Sequence, residues 1–207
     1  MDIVNLLSFI GVAILLTLAP GPDIMYLLAK SLSGGAKQGI TLAMGLSSGP
    51  IFHTLLVMIG VAAFIQGSPM AFKGLMYAGA AYLLYLAWNA FRAKVQPLEI
   101  TDRPEHFDSF SLYRRGFLMN AMNPKVLLFF LALLPQFVRT EAAFSPSLQI
   151  GILGLGFSVQ AFIVFSFVAI CAGQIREKLI AYKNFPRVMN LVEAVILVLI
   201  AVGLLFM

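Results

Sequence analysis

Two charged side chains lie inside apolar stretches where water is not the expected solvent. Asp23 follows Ala19-Pro20-Gly21-Pro22 in the first long apolar run, and Lys125 follows Asn123-Pro124 in another, about a hundred residues later. Each proline lacks an N–H and crowds the preceding turn, so both runs are expected to break there. In hydrocarbon the freed backbone groups need partners from neighbouring segments, and an isolated charge is costly. The acid and the base are therefore expected to face the bundle interior and to partner each other. They form either an ion pair that fixes helix packing or a binding site. The second role has definite chemistry. Helices restarting after Pro22 and Pro124 present unpaired N–H groups and positive dipole ends, which suit a carboxylate with Lys125 beside it. Asp23 suits an ammonium group or a proton. A molecule carrying both groups at short spacing is an amino acid, so Gly21, Pro22, Asp23, Asn123, Pro124 and Lys125 form the expected substrate-binding and coupling set.

Among the other polar residues within apolar runs, four stand out. His53 titrates near working pH and is a candidate proton relay, although a hydrogen-bonded core histidine is its simpler role. Glu193 is the second relay candidate, either lining the pathway or reaching the interface from about two turns inside the last run. Asn120, with Asn123, flanks the second break and is expected to satisfy freed carbonyls there. Gln160 is the fourth.

These residues need helices to position them, and the composition says which solvent those helices meet. The chain has 207 residues, 60% hydrophobic and 11% charged, with a mean hydropathy of +0.93. Soluble domains carry about 25% charged residues. The apolar runs are continuous rather than alternating, which indicates membrane helices and not a barrel. The +5 charge reflects topology rather than nucleic-acid binding, because the bases fall at run ends. Cys171 is the single cysteine, so one chain can build neither a disulfide nor a thiolate cluster. No cofactor and no metal site are expected. The first residues lack the basic region of a signal peptide and read as the start of a retained helix.

Six runs are expected to span: Ile3 to Leu28, Ala36 to Ile65, Met70 to Phe91, Gly116 to Val138, Leu148 to Ala172 and Pro186 to Phe206. The polar stretch 92–115 separates a first half, 1–91, from a second, 116–207, within one transport domain. Lys30, Lys37, Arg92, Lys94, Arg103, Arg114, Arg115, Arg176, Lys178, Lys183 and Arg187 fall on one side, against Lys73 and Arg139 on the other. This bias places the central loop in the cytoplasm and both termini outside. Asp23 then lies ~10 Å of helix from Lys30, and Lys125 ~15 Å from Arg115, so the two reach a common depth.

Three is odd, so two three-helix halves insert with opposite orientations. Broken helices at matching places in such halves point to a transporter's binding site. Pro22-Asp23 aligns with Pro124-Lys125 and the apolar residues downstream match. Upstream the lengths differ, about nineteen residues before Pro22 against eight between Gly116 and Pro124. Gly35-x-x-x-Gly39 and Gly45-x-x-x-Gly49 permit close helix approach, within one chain or between copies in a homodimer. Trp88, Tyr82 and Tyr85 read as interfacial anchors.

At the two breaks the chain resembles the LysE/RhtB family of amino-acid exporters. The likeness rests on Ala19-Pro20-Gly21-Pro22-Asp23, the small-residue stretch from Gly39 to Gly49, and Asn123-Pro124-Lys125 followed by Phe129-Phe130 and Pro135-Gln136-Phe137. It implies a multi-pass bacterial inner-membrane protein, not an enzyme, that exports amino acids or close derivatives under a proton gradient, with the lipid bilayer as its surroundings. Two alternatives are a second kind of transport and a role without transport. Divalent-cation export needs clustered carboxylates, thiolates or imidazoles, which are scarce here. A non-transporting membrane assembly protein would show no substrate-dependent flux or stabilisation. A thiol-shuttling oxidoreductase lacks its paired cysteines. An intramembrane hydrolase lacks Gly-x-Ser-x-Gly, His-Glu-x-x-His and paired aspartates.

Overall fold

The computed structural model describes residues 3–67, 69–94, 108–139, 144–175, 179, 182 and 184–206. Among the described residues the chain is all helical. Helix α1 runs Ile3–Leu18, α2 Pro22–Gly67, α3 Pro69–Arg92, α4 Ser109–Ala121, α5 Pro124–Leu128, α6 Pro146–Gln174 and α7 Phe185–Phe206. Much of the central polar stretch, including Glu99, Asp102, Arg103, Glu105 and His106, lies outside the described residues, as do Arg176, Lys178 and Lys183.

By length and hydropathy, four described helices are fit to cross a membrane: α2 over Pro22–Gly60, α3 over Met70–Arg92, α6 and α7. Ser109–Ala121 with Pro124–Phe137, bent by 49°, makes a fifth if counted as one span. The first expected span, Ile3 to Leu28, is not one helix. Helix α1 is a 16-residue apolar piece, and the chain restarts at Pro22 into a helix that continues past Leu28. At 46 residues, α2 would be ~70 Å long if straight, about twice the hydrocarbon thickness. It is interrupted at Gly35, whose φ of 76° and ψ of 176° are non-helical, a conformation glycine adopts without Cβ strain. Two arms result, 22–34 and 36–67. The connection between the first two expected runs is therefore a single left-handed residue within helix.

The fourth run begins earlier than its polarity suggests. Asp108 caps α4, its side chain accepting from the Phe110 N–H at 3.0 Å, so Arg114 and Arg115 ride on helix rather than loop. The piece before the second break is then 13 residues against 16 in α1, a closer match than the apolar residues alone gave. Beyond α5 the chain widens into a π turn, Phe129–Leu133, and tightens into a 3-10 turn, Leu134–Phe137. Pro135 cannot donate, and π turns of this kind recur at functional sites. The Gln136 side-chain amide donates to the Ala132 carbonyl at 2.9 Å and so satisfies an acceptor in this irregular stretch.

The second arm of α2 is the central post, and glycines let its neighbours touch it. A Cβ on Gly45 would run into the Tyr113 carbonyl, and one on Gly116 into the Leu42 carbonyl, so α2 and α4 meet backbone to backbone. Gly49 gives its space to the Asn120 side chain, Gly154 to Thr54 and Gly39 to Ala169. These glycines thus serve contacts within one chain. Helix α6 packs along the other flank of this arm, while α3 pairs with α7. An aromatic cluster joins the layers, with the Phe129 and Phe130 ring centroids 5.4 and 5.0 Å from that of Phe157, and Phe9 5.3 Å from Phe137.

Candidate functional site

At the first break, Ala19 ends α1, its N–H donating to Leu15, and the Met25 N–H returns to the Gly21 carbonyl to open α2. Residues Ala19, Pro20 and Gly21 carry no polar side chain, so the orphan groups of this break need help from elsewhere. The Lys125 ammonium supplies it, donating from Nζ to the Ala19 carbonyl at 2.9 Å. A cation there also meets the negative end of the α1 dipole.

The second break is richer in polar side chains. Asn123 caps α5, its Oδ1 accepting from the Lys125 N–H at 3.0 Å. Its amide donates to Asp23 Oδ2 at 3.0 Å, and the Asn120 amide donates to the same oxygen at 2.9 Å. Asp23 lies in the first turn of α2, where a carboxylate is favoured by the dipole. Each break is thus completed by the charged residue of the other. Asp23 and Lys125 are both 6% exposed, which makes these partners necessary rather than decorative.

The expected direct partnership of Asp23 with Lys125 is replaced by this crossed arrangement. The carboxylate that pairs with Lys125 is Glu193 of α7, Oε1 lying 3.8 Å from Nζ. Glu193 therefore belongs to the site rather than to the interface. Gly21 is where these groups converge, since a Cβ there would stand 2.9 Å from Lys125 Nζ and 3.0 Å from Glu193 Oε1. The two asparagines serve the buried carboxylate rather than freed carbonyls. The N–H expected to be open at the start of α5 is occupied by Asn123, and α5 lasts only five residues.

His53, fully buried, lies with Nε2 3.2 Å from the Asn120 carbonyl. Its Nδ1 has no partner, and neither has Asn120 Oδ1 or Gln160 Oε1. Gln160 donates to Thr17 Oγ1 at 2.9 Å, linking α6 to α1, a contact the sequence did not suggest. Thr17, Asp23, Asn120 and Lys125 are the polar lining of one small cavity, whose apolar wall includes Leu16, Ile24, Val126 and Phe157. Its volume is about 20 Å³, room for about one water. Pro22 and Pro124 are exposed and act by starting helices, while Asn123, Gly21 and Glu193 stand behind the lining. Among the described residues no three of His, Cys, Asp and Glu come together as a metal site. On the Lys30 side, the ring of Tyr26 lies 4.4 Å from the Arg115 guanidinium and 6.0 Å from Lys30 Nζ.

Apolar helices interrupted around a buried, charged cavity define a multi-pass helical membrane protein of the translocator class. The chain belongs to the LysE type translocator family, which matches residues 14–207. It is 31% identical over 191 residues to an uncharacterized membrane protein of Vibrio cholerae, covering 92% of this chain and 89% of that one. It is 26% identical over 188 residues to a leucine efflux protein of Klebsiella pneumoniae, covering 91% and 88%. An uncharacterized membrane protein of Bacillus subtilis is 30% identical over 155 residues, 70% of this chain and 73% of that one. No solved structure matches the chain.

Proposed function

We propose that this protein is a secondary active exporter of a small amino acid across the bacterial inner membrane. The substrate ammonium engages Asp23 and its carboxylate engages Lys125. One observation carries the reading: the buried anion and the buried cation line the same cavity while each is held by groups a substrate can displace. Asp23 is held by two neutral amides, and Lys125 by a backbone carbonyl and a long contact to Glu193. The apolar wall favours an uncharged side chain, in keeping with the leucine efflux relative.

The cavity as it stands admits a water and not an amino acid, so this is a closed state, and binding requires the helix pieces to part at the breaks. Protons drive the cycle. When Asp23 is protonated it no longer attracts an ammonium group, so proton occupancy and substrate occupancy exclude each other. Glu193 competes with the substrate carboxylate for Lys125, which resets the site once substrate leaves. The pieces α1 with 22–34, and α4 with α5, are equivalent broken spans of two inverted three-helix halves, with the central loop cytoplasmic and both termini outside. Antiparallel broken helices of this kind allow the same site to open to either side.

The test is reconstitution in proteoliposomes with an imposed proton gradient and a panel of radiolabelled neutral, basic and acidic amino acids. Gradient-driven flux of a neutral amino acid that Asp23→Asn abolishes, with the variant still inserted and folded, is the expected result. Full gradient-driven flux by Asp23→Asn removes Asp23 from coupling. Absence of flux and of substrate-dependent stabilisation across the panel overturns the exporter reading.

A further inference from the structure

Away from the charged cavity, α3 and α7 leave an open apolar groove of about 530 Å³ between them. Leu84, Trp88 and Phe91 form one wall and Leu191, Val195 and Leu199 the other. Trp88 and Phe91 are 54% and 62% exposed. The two helices are antiparallel, since a Cβ on Gly79 would meet Leu204 while Phe91 and Leu191 share the groove. The end of α3 therefore lies level with the first turns of α7. That end is basic. Arg92 closes α3 with its guanidinium 4.8 Å from the Trp88 ring centroid. Lys94 follows two residues later, and Arg187 stands one turn before Leu191; all three are exposed.

We propose that this groove is a binding site for an anionic phospholipid. One acyl chain lies between Trp88 and Val195, and the phosphate sits on Arg92 and Arg187. The walls from Leu84 to Phe91 cover ~10 Å of helix, enough for the upper part of one chain. Acyl packing alone does not choose among lipids, because tails in the bilayer are as apolar as the groove. The choice comes from the bases at its mouth, which recognise a headgroup with net negative charge. The guanidinium stacked on the indole aims one of those bases at the same spot that the groove's side chains define. A second copy of the chain is the poorer occupant. Rotation about the membrane normal would bring Arg92 and Arg187 of both copies to the same depth, with like charges facing across the seam.

Trp88 is the sole tryptophan, so its fluorescence reports the groove directly. The full chain is placed in phosphatidylcholine vesicles containing either brominated phosphatidylglycerol or brominated phosphatidylcholine at equal mole fraction. Quenching by the anionic lipid is expected to exceed quenching by the zwitterionic one. The preference should fall by about fivefold for each of Arg92→Gln and Arg187→Gln, the factor for roughly 1 kcal/mol per surface base. In the unaltered protein it should shrink as salt is raised, a check that needs no variant. Equal quenching by the two lipids overturns the site, as does a preference that survives the double substitution or is indifferent to salt. Protection of Trp88 from both lipids together with cross-linking between copies through Ala194→Cys would assign the groove to a second copy instead.

Discussion

The two helix breaks have the same plan and opposite resources. At 19–21 the chain offers only Ala, Pro and Gly, so its orphan carbonyl is satisfied by a side chain 106 residues away. Around 120–123 the chain offers two asparagines: Asn123 caps the restarting helix through its Oδ1, and the amides of both Asn120 and Asn123 donate to Asp23. A break without polar side chains must borrow, and the loan ties it to its partner. Loss of the Lys125 side chain should therefore strand the first break outright, whereas loss of one asparagine leaves the other still donating to Asp23.

Several substitutions break or sharpen that contrast. Lys125→Met should have the largest effect, abolishing export and lowering stability by about 3–5 kcal/mol, because it strands the Ala19 carbonyl and the Glu193 carboxylate together. Flux in proteoliposomes and thermal unfolding in detergent measure the two parts. Adding Glu193→Gln to Lys125→Met should recover part of the stability and none of the transport. Simple additivity of the two substitutions would show that the pair is not coupled. Asn123→Ala should come next, at about 2 kcal/mol, since it removes a helix cap and one donor to a buried carboxylate while leaving the Asn120 donor in place. A loss as great as that of Lys125→Met would erase the distinction between the breaks. Gly21→Ala should cost least in stability, under about 1 kcal/mol, because its Cβ meets only the flexible ends of Lys125 and Glu193. It should still slow transport by displacing them, which a rate series at saturating substrate would reveal.

How much of this was readable beforehand follows from what each residue must do locally. The two breaks were legible because proline and a charge inside an apolar run have few other meanings. The crossed pairing was not, since residue type shows that Asp23 and Lys125 need partners without showing which groups face them. Glu193 was ambiguous for a related reason. Depth along a helix can be counted, but the direction a side chain takes around it depends on neighbours 68 residues away in sequence. The start of α4 was hidden by its charge, because Arg114 and Arg115 resemble loop until Asp108 is recognised as a cap. The tight α2–α4 seam was half legible. The glycine spacing announced close approach, but not that α4 rather than another copy would fill it.

That seam has a mechanical consequence. Where Gly45 meets the Tyr113 carbonyl and Gly116 meets the Leu42 carbonyl, the two backbones touch and leave little side-chain packing free to slide. The central arm of α2 and α4 must then travel as one stiff stave. Any rocking that widens the charged chamber is left to the short pieces hinged onto it, at Gly35 on one side and on the other at Met122, the residue that ends α4 just before the Asn123 cap of α5.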